Sequence, residues 1–164
     1  MSRNAVSSQV SGQEGRIAAL RANALAAIVM LLLEYGLGIW MNLEGHVPGA
    51  DHGVGFWAAF LDSITRGPLG LTLHAVLGTL IIITSIGLAM RSIATKRWSW
   101  SVLALVAFIA VLLAWLSGVL FVSSGDSEPS LVMALWTGVA LLCDVLIVFR
   151  LTFETGWAVR SGSD

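Results

Sequence analysis

Four long apolar segments decide what this chain can fold into. A helix needs roughly 20 consecutive apolar residues, at about 1.5 Å each, to cross the hydrocarbon core of a bilayer. The chain has four segments of that length, at residues 23–42, 68–90, 101–122 and 130–149. They lack the alternating pattern, in segments of roughly ten residues, that a membrane β-barrel needs. We therefore predict an all-α polytopic membrane protein, an up-down bundle of four transmembrane helices within residues 23–153.

The composition agrees with this prediction. Of the 164 residues, 57% are hydrophobic and 12% are charged, whereas about a quarter of the residues in soluble domains are charged. The single cysteine, Cys143, cannot form a disulfide within the chain. The lipid bilayer is therefore the first partner that we expect. Nothing in the sequence has the basic, aromatic-rich pattern of a nucleic-acid surface, so no nucleic-acid partner is predicted.

The basic residues predict the orientation of the chain in the membrane. Of the nine Lys and Arg residues, only Arg66 lies in the first or third connecting loop, and the others lie in the tails or the central loop. Cytoplasmic segments of membrane proteins are enriched in Lys and Arg. We therefore predict a multi-pass protein of a bacterial cytoplasmic (inner) membrane, with both termini in the cytoplasm.

The segments outside the four spans differ in character. Residues 1–22 are polar and predict a disordered cytoplasmic tail, and residues 154–164 predict a second cytoplasmic tail. The outer loop, residues 43–67, is long enough to contain structure of its own. Within it, apolar residues at helical spacing predict a short amphipathic helix, which either caps the bundle or lies on the membrane surface: Trp57, Phe60, Leu61 and Ile64.

Three ionisable residues lie inside the predicted spans: Glu34, His74 and Asp144. A charged group at the centre of a bilayer costs at least about 2.5 kcal/mol, so such residues normally face the bundle interior and have partners. Glu34 and His74 both lie roughly 10–12 Å below the outer ends of their helices, counted at about 1.5 Å per residue. The spans therefore place these two side chains in one polar layer, whereas Asp144 lies nearer the cytoplasmic side.

Glycines and aromatic residues surround His74 at its depth in the membrane. Gly70 and Gly78 lie one helical turn on either side of it, on the same helix face. Small residues let membrane helices pack closely, and they equally leave room for a flat ligand between the helices. The polar or aromatic residues that reach this depth on the last two spans are Trp115, Ser117, Trp136 and Thr137.

The polar layer is open to a structural and a functional interpretation. As a structural element, His74 is a buried neutral imidazole that hydrogen-bonds to Glu34 or Thr137 and so joins the helices. As a functional element, Glu34 and His74 on the outer side, with Asp144 at greater depth, are stations of a proton relay. The residue types and depths fit both interpretations.

A haem site is a further interpretation of the same layer. Haem in a helical bundle needs an axial histidine, apolar or aromatic walls and a gap for the macrocycle. Met30, Met133, an outer-loop histidine or a second subunit could supply a second axial ligand. The residues that would bind haem b are His74, Glu34, Gly70, Gly78, Trp115 and Trp136.

The outer loop contains a candidate metal site. Its segment EGHVPGADHG holds His46, Asp51 and His52, and imidazole and carboxylate groups bind Zn²⁺ or Cu²⁺. The spacing matches no established metal signature, and Asp or His beside Gly and Pro is equally common in turns. A metal site and an ordinary turn both stay open.

Two resemblances add to these expectations. The segments LEYGLGIWMNL, ADHGVGF and GPLGLTLHAVLG resemble an uncharacterised family of bacterial integral membrane proteins with four helices, over residues 23–149. That resemblance implies a fold and a location only. More remotely, His74 followed by Gly78 is similar to the haem-binding helices of b-type cytochromes and haem A synthase, which implies an axial role for His74.

The sequence favours a protein that is not an enzyme, because it contains no nucleophile elbow, phosphate-binding glycine loop or HExxH motif. We predict a non-catalytic accessory or assembly component, held together by the polar layer around Glu34 and His74. The alternative is a redox protein associated with b-haem or a quinone, and the third possibility is proton or small-solute transport. Glycine-lined helix faces would also allow a homo-oligomer or a place in a larger membrane complex.

Overall fold

Helices account for every regular element in the ranges that the computed structural model describes, which are residues 3–44, 55–124 and 128–161. These helices are α1 (Arg3–Glu44), α2 (Phe56–Thr65), α3 (Leu69–Ala94), α4 (Trp98–Ser124) and α5 (Glu128–Ser161). The prediction of an all-α bundle is therefore confirmed.

Four of the five helices are long and apolar enough to cross a membrane, which fits a multi-pass membrane protein. The qualifying stretches of α1, α3, α4 and α5 are Gly12–Met41, Leu69–Ala94, Trp98–Ser124 and Glu128–Phe153. Each is longer than the segment predicted from the sequence, because helix continues into the flanking polar residues.

The four spanning helices form a ring in chain order. α1 packs against α3, α3 against α4, α4 against α5, and α5 back against α1, with the most extensive contact between α4 and α5. The short helix α2 packs on α3 and α4. The end of the bundle that carries α2 is called the α2 end below, and the end that carries the α3–α4 turn is called the opposite end.

The opposite end is tightly packed. Leu20 of α1, Leu88 of α3, Trp100 of α4 and Ile147 of α5 belong to one buried cluster, and each is at most 1% exposed. Arg91 of α3 also donates a hydrogen bond from Nη1 to the carbonyl oxygen of Ala19, at 3.2 Å. All four spanning helices therefore meet in the core at this end.

The prediction of a disordered tail over residues 1–22 is wrong for its last part. α1 begins at Arg3, and Leu20 is fully buried in the core with Ile17 packed against the same cluster. Ile17, Leu20 and Ala24 are spaced by three and four residues, so they continue the apolar stripe of the span on one helix face. Between them, Arg21 is exposed, whereas Asn23 donates a hydrogen bond to the carbonyl oxygen of Thr84 on α3, at 3.1 Å.

The short helix predicted in the first connecting loop is present as α2 and caps one end of the bundle. Ala59 is fully buried and Ser63 is 4% exposed, whereas Trp57 and Leu61 are 67% and 57% exposed. The helix predicted from the sequence is therefore correct, but half of its predicted apolar face is turned outward. Small residues form the inner face instead, because they allow α2 to approach α3 and α4 closely.

A tight turn joins α2 to α3. A Cβ at Gly67 would lie 2.5 Å from the carbonyl oxygen of Ser63, which only glycine avoids. Thr72 of α3 donates a hydrogen bond to that same carbonyl oxygen, at 3.0 Å. Pro68 precedes the first residue of α3 in an extended conformation, as is typical before a helix start. These contacts hold α2 across one end of the four-helix bundle.

Candidate functional site

The acid and the histidine singled out from the sequence lie side by side in the bundle. Oε1 of Glu34, on α1, lies 3.2 Å from Nδ1 of His74, on α3. Their side chains are 13% and 17% exposed. The two residues therefore share one layer and face the interior, as predicted.

Glycines on the facing helices make room for both side chains. A Cβ at Gly78 of α3 would lie 3.1 Å from Oε1 of Glu34, and a Cβ at Gly38 of α1 would lie 3.7 Å from Cε1 of His74. Each polar side chain therefore packs over a glycine of the opposite helix. A Cβ at Gly70 would in turn lie 3.0 Å from the ring of Trp40. The spaces over Gly70 and Gly78 are therefore filled by protein side chains.

Around this pair lies a cavity of about 230 Å³ to which all five helices contribute. Glu34, His74 and Trp115 are its main polar residues, and most of the lining is apolar. An apolar cavity with a few polar groups has the character of a small-molecule site. Further lining residues include Tyr35, Gly38, Phe60, Gly78, Gly118, Phe121, Met133 and Thr137.

Three buried polar atoms of the lining residues lack a hydrogen-bond partner among the described residues. They are Oε2 of Glu34, Nδ1 of His74 and Nε1 of Trp115. The His74–Glu34 contact is short, but its direction at Nδ1 does not suit a hydrogen bond. A buried polar group without a partner costs about 1–3 kcal/mol. The pair is therefore not a satisfied structural link, and the site has unused capacity for hydrogen bonding.

Aromatic residues of α2 hold the indole of Trp115. The ring of Phe60 lies 5.1 Å from that of Trp115 and is inclined by 69°, and the ring of Phe56 lies 5.8 Å away. Edge-on contacts of this kind stabilise aromatic pairs. α2 thus fixes the orientation of a cavity wall.

The two hydroxyl residues predicted at this depth bond within their own helices. Ser117 donates to the carbonyl oxygen of Leu113, and Thr137 donates to that of Met133, both at 2.8 Å. The hydroxyl hydrogen of Thr137, one of the two predicted alternatives, is therefore not donated to His74, and Nδ1 of His74 has no partner among the described residues. Thr137 still lines the cavity. Ser117 is buried in the helix packing at 8% exposure.

Trp136 was predicted to line the site and does not line the cavity, whereas two aromatic residues that do line it were not predicted. Trp136 packs against the buried cluster of Leu31 and Ile81 and is not among the described lining residues. It precedes Thr137 by one residue, which turns it about 100° away on the helix. Tyr35 and Phe121 line the cavity although no motif marks them. Helical spacing from Gly118 to Phe121 is the signal that could have placed the second of these.

The residues present do not fit haem b. The cavity of about 230 Å³ is smaller than the roughly 300–1,000 Å³ of typical ligand sites. The spaces at Gly78 and Gly70 hold the side chains of Glu34 and Trp40 in place of a macrocycle. Met30, a candidate second ligand, accepts a hydrogen bond from Thr84 at 3.7 Å.

Asp144 lies apart from this site. It is 1% exposed, and its Oδ1 has no hydrogen-bond partner among the described residues. Along α5 it lies seven residues beyond Thr137, which is about 10 Å. The buried cluster that includes Leu31, Ile81 and Ala140 occupies the middle of the bundle. A proton relay from Glu34 and His74 to Asp144 would have to cross this apolar layer.

The candidate metal residues His46, Asp51 and His52 lie outside the described residues. Within the described part of the chain, no group of three or more His, Cys, Asp or Glu residues is placed to hold a metal ion.

No protein family, no curated protein and no solved structure matches the chain. The two resemblances drawn from the sequence therefore stay predictions.

Proposed function

We propose that this chain is a multi-pass protein of a bacterial inner membrane that binds a lipid-soluble molecule of the quinone or quinol class. The ring of this molecule occupies the cavity beside Glu34, His74 and Trp115. The observation that carries the proposal is the presence of three buried polar atoms without partners on residues that line one apolar cavity. A ring oxygen of a quinone or quinol can accept from Nε1–H of Trp115, and a hydroxyl of the quinol can donate to Oε2 of Glu34.

The chemistry of the lining selects the class of ligand. The indole Nε1–H of Trp115 can only donate a hydrogen bond, so the ligand needs an acceptor atom. A lipophilic cation without an acceptor oxygen would leave this N–H group unpaired. Fatty acids and phospholipids carry negative charge beside the Glu34 carboxyl, and among the described lining residues none is Lys or Arg. A neutral ring with oxygen substituents meets both conditions, and the aromatic side chains of Trp115 and Phe60 suit a flat ring.

The proposal places the site in the outer half of the membrane. With both termini in the cytoplasm, as the basic residues predict, the α2 end faces away from the cytoplasm. Binding without catalysis also agrees with the predicted role of an accessory or assembly component. That role includes action as a homo-oligomer or within a larger membrane complex.

A matched pair of tryptophan variants tests the proposal. Trp115→Phe keeps the ring and removes the N–H donor in the cavity, whereas Trp136→Phe makes the same change outside it. With the full chain in detergent, we expect calorimetric titration with decylubiquinone and decylubiquinol to give saturable binding. Loss of the hydrogen bond at Trp115 should weaken binding about tenfold, and Trp136→Phe should change it less than about twofold.

Two results would contradict the proposal. One is the absence of saturable binding of either probe to the unaltered chain. The other is equal binding by Trp115→Phe and Trp136→Phe, which would show that the cavity is not where the probes bind. Thermal unfolding of both variants in the same detergent checks that they are folded.

A further inference from the structure

The spanning helices are packed unequally along their lengths. At the opposite end, Leu20 of α1 shares a buried cluster with Ile147 of α5. At the α2 end, the buried cluster is formed by residues of α2, α3 and α4, with Met41 of α1 against it. Among the described residues, α5 contributes nothing to that cluster. α1 and α5 are therefore joined through the core at the opposite end and in the middle of the bundle, where Leu31 and Ala140 share a buried cluster, but not at the α2 end.

The cavity opens where these two helices are not joined. Tyr35 and Ile39 of α1 line it, although they are 49% and 47% exposed. Across the gap, Ser130 and Ala134 of α5 line it and are also partly exposed. By contrast, lining residues between α3 and α4, such as Leu71 at 6% exposure, are buried. The side of the bundle between α1 and α5 therefore leads from the cavity to the lipid-facing surface.

We infer that the ligand enters the cavity sideways from the lipid, through the gap between α1 and α5, and leaves its hydrocarbon tail in that gap. This inference rests on the proposed function. The cavity of about 230 Å³ is below the roughly 300–1,000 Å³ of sites that enclose a whole ligand. It holds a ring, and a long tail has to lie outside it.

The surface of the gap suits such a tail. The exposed side chains on the α1 side, Tyr35 and Ile39, are large and mostly apolar, and Ala134 on the α5 side is small. A hydrocarbon tail that lies along them stays in contact with apolar groups from the cavity to the surrounding lipid. The aqueous side of the cavity is covered by Phe60 and Ser63 of α2.

A bulky substitution at the gap tests the route. Ala134→Phe narrows the gap and leaves Glu34, His74 and Trp115 unchanged. Val139→Phe is the control, because Val139 is an exposed position of the same helix that does not line the cavity. The probes are decylubiquinone and the same dimethoxy-methyl benzoquinone ring without the tail. Quenching of tryptophan fluorescence in a stopped-flow instrument gives the association rates for the full chain in lipid nanodiscs.

We expect Ala134→Phe to slow association of both probes about tenfold, because both rings have to pass through the gap. At equilibrium, measured by titration of the same fluorescence quenching, it should weaken binding of the tailed probe more than binding of the tail-less ring, because only the tail stays in the gap. Val139→Phe should change neither rate. Ala134→Leu, a smaller change, should give an intermediate rate and provides a second variant if Ala134→Phe does not fold.

The outcomes separate this inference from the proposed function. Equal association rates of the tailed probe in the Ala134 and Val139 variants would overturn the lateral route and leave the binding site intact. Equal loss of affinity for the two probes in Ala134→Phe would overturn the placement of the tail, since the tail would then not lie in the gap. Failure of both probes to bind the unaltered chain would overturn the proposed function itself.

Discussion

Glu34 and His74 owe their positions to glycines on the facing helices. Gly78 lies opposite the carboxyl of Glu34, and Gly38 lies opposite the imidazole of His74. In lipid, two apolar side chains gain little from mutual burial, so small residues that permit close packing largely decide where helices meet. At this contact the same glycines also keep two polar side chains inside the bundle. The same two glycines therefore determine both how closely α1 and α3 pack and where the polar side chains of the site lie.

Enlarging Gly78 should therefore disturb both stability and binding. In Gly78→Leu, the new side chain occupies the space beside Oε1 of Glu34, where even a Cβ would lie at 3.1 Å. Overpacking of this kind typically costs about 1–3 kcal/mol. We expect a lower midpoint of thermal unfolding in detergent and at least about tenfold weaker decylubiquinone binding.

The control for this prediction is Gly138→Leu. Nothing lies within 4 Å of a Cβ at Gly138, which is exposed on α5. The same change in residue type there should leave the unfolding midpoint and the affinity nearly unchanged. Equal effects of the two substitutions would show that leucine disturbs these helices for a reason unrelated to Glu34.

At the scale of the elements, α2 connects the site to its surroundings. Its buried face, Ala59 and Ser63, rests on the bundle, while Phe60 contacts the indole of Trp115. Its exposed face carries Trp57 and Leu61, which suit the interfacial region of a bilayer. The orientation of α2 therefore determines how firmly the Trp115 wall of the cavity is held.

The turn between α2 and α3 should be sensitive to a single methyl group. In Gly67→Ala the new Cβ would lie 2.5 Å from the carbonyl oxygen of Ser63, so the backbone has to shift. We expect a loss of more than about 1 kcal/mol in the stability of α2 docking. Hydrogen exchange of the α2 amides should be faster, and exchange in α4 should change little.

Gly55→Ala is the matched control for this prediction. Gly55 precedes the first residue of α2, and a Cβ there would have nothing within 4 Å. Exchange in α2 should be the same as in the unaltered chain. Unchanged exchange in Gly67→Ala as well would mean that the turn tolerates a shift and that α2 is held by its side-chain contacts alone.

The elements differ in how far the sequence predicts them. The presence of four spans follows directly from the apolar runs, because a bilayer sets a minimum length, although each helix is longer than its apolar run. The start of α1 was missed because composition alone suggests disorder, whereas Ile17 and Leu20 find partners on other helices. The inner face of α2 was missed because hydrophobicity favours Trp57 and Leu61, and close packing favours Ala59 instead.

The depth of the site in the membrane could be predicted from the sequence, whereas the orientation of Trp136 and the presence of the cavity could not. Counting residues along the spans placed Glu34 and His74 at one level, since helix rise is constant. Counting residues could not show which neighbours the side chain of Trp136 faces, because this depends on how α5 is rotated about its own axis. Nor could it reveal the cavity, which depends on the separation of α1 and α5 at one end.

At the scale of the whole molecule, the bundle has a closed end and an open end. Trp100, at 1% exposure, fills the core of the opposite end, where all four spans meet. At the α2 end the core is thinner, and the cavity takes its place. A rigid base with a cavity at the other end lets a ligand enter and leave without unfolding the bundle.

The direction of the open end in the membrane gives the last prediction. Arg66 lies just after α2, and Lys96 lies in the α3–α4 turn at the opposite end. Both are exposed, so a cysteine at either position should react with a membrane-impermeant maleimide wherever the reagent has access. If basic segments face the cytoplasm, Arg66→Cys in a Cys143→Ser background should be labelled in intact spheroplasts, and Lys96→Cys should be labelled only after permeabilisation. The reverse pattern would invert the bundle and place the Glu34–His74 site in the cytoplasmic half of the membrane, because the site lies at the α2 end whichever way the chain is inserted.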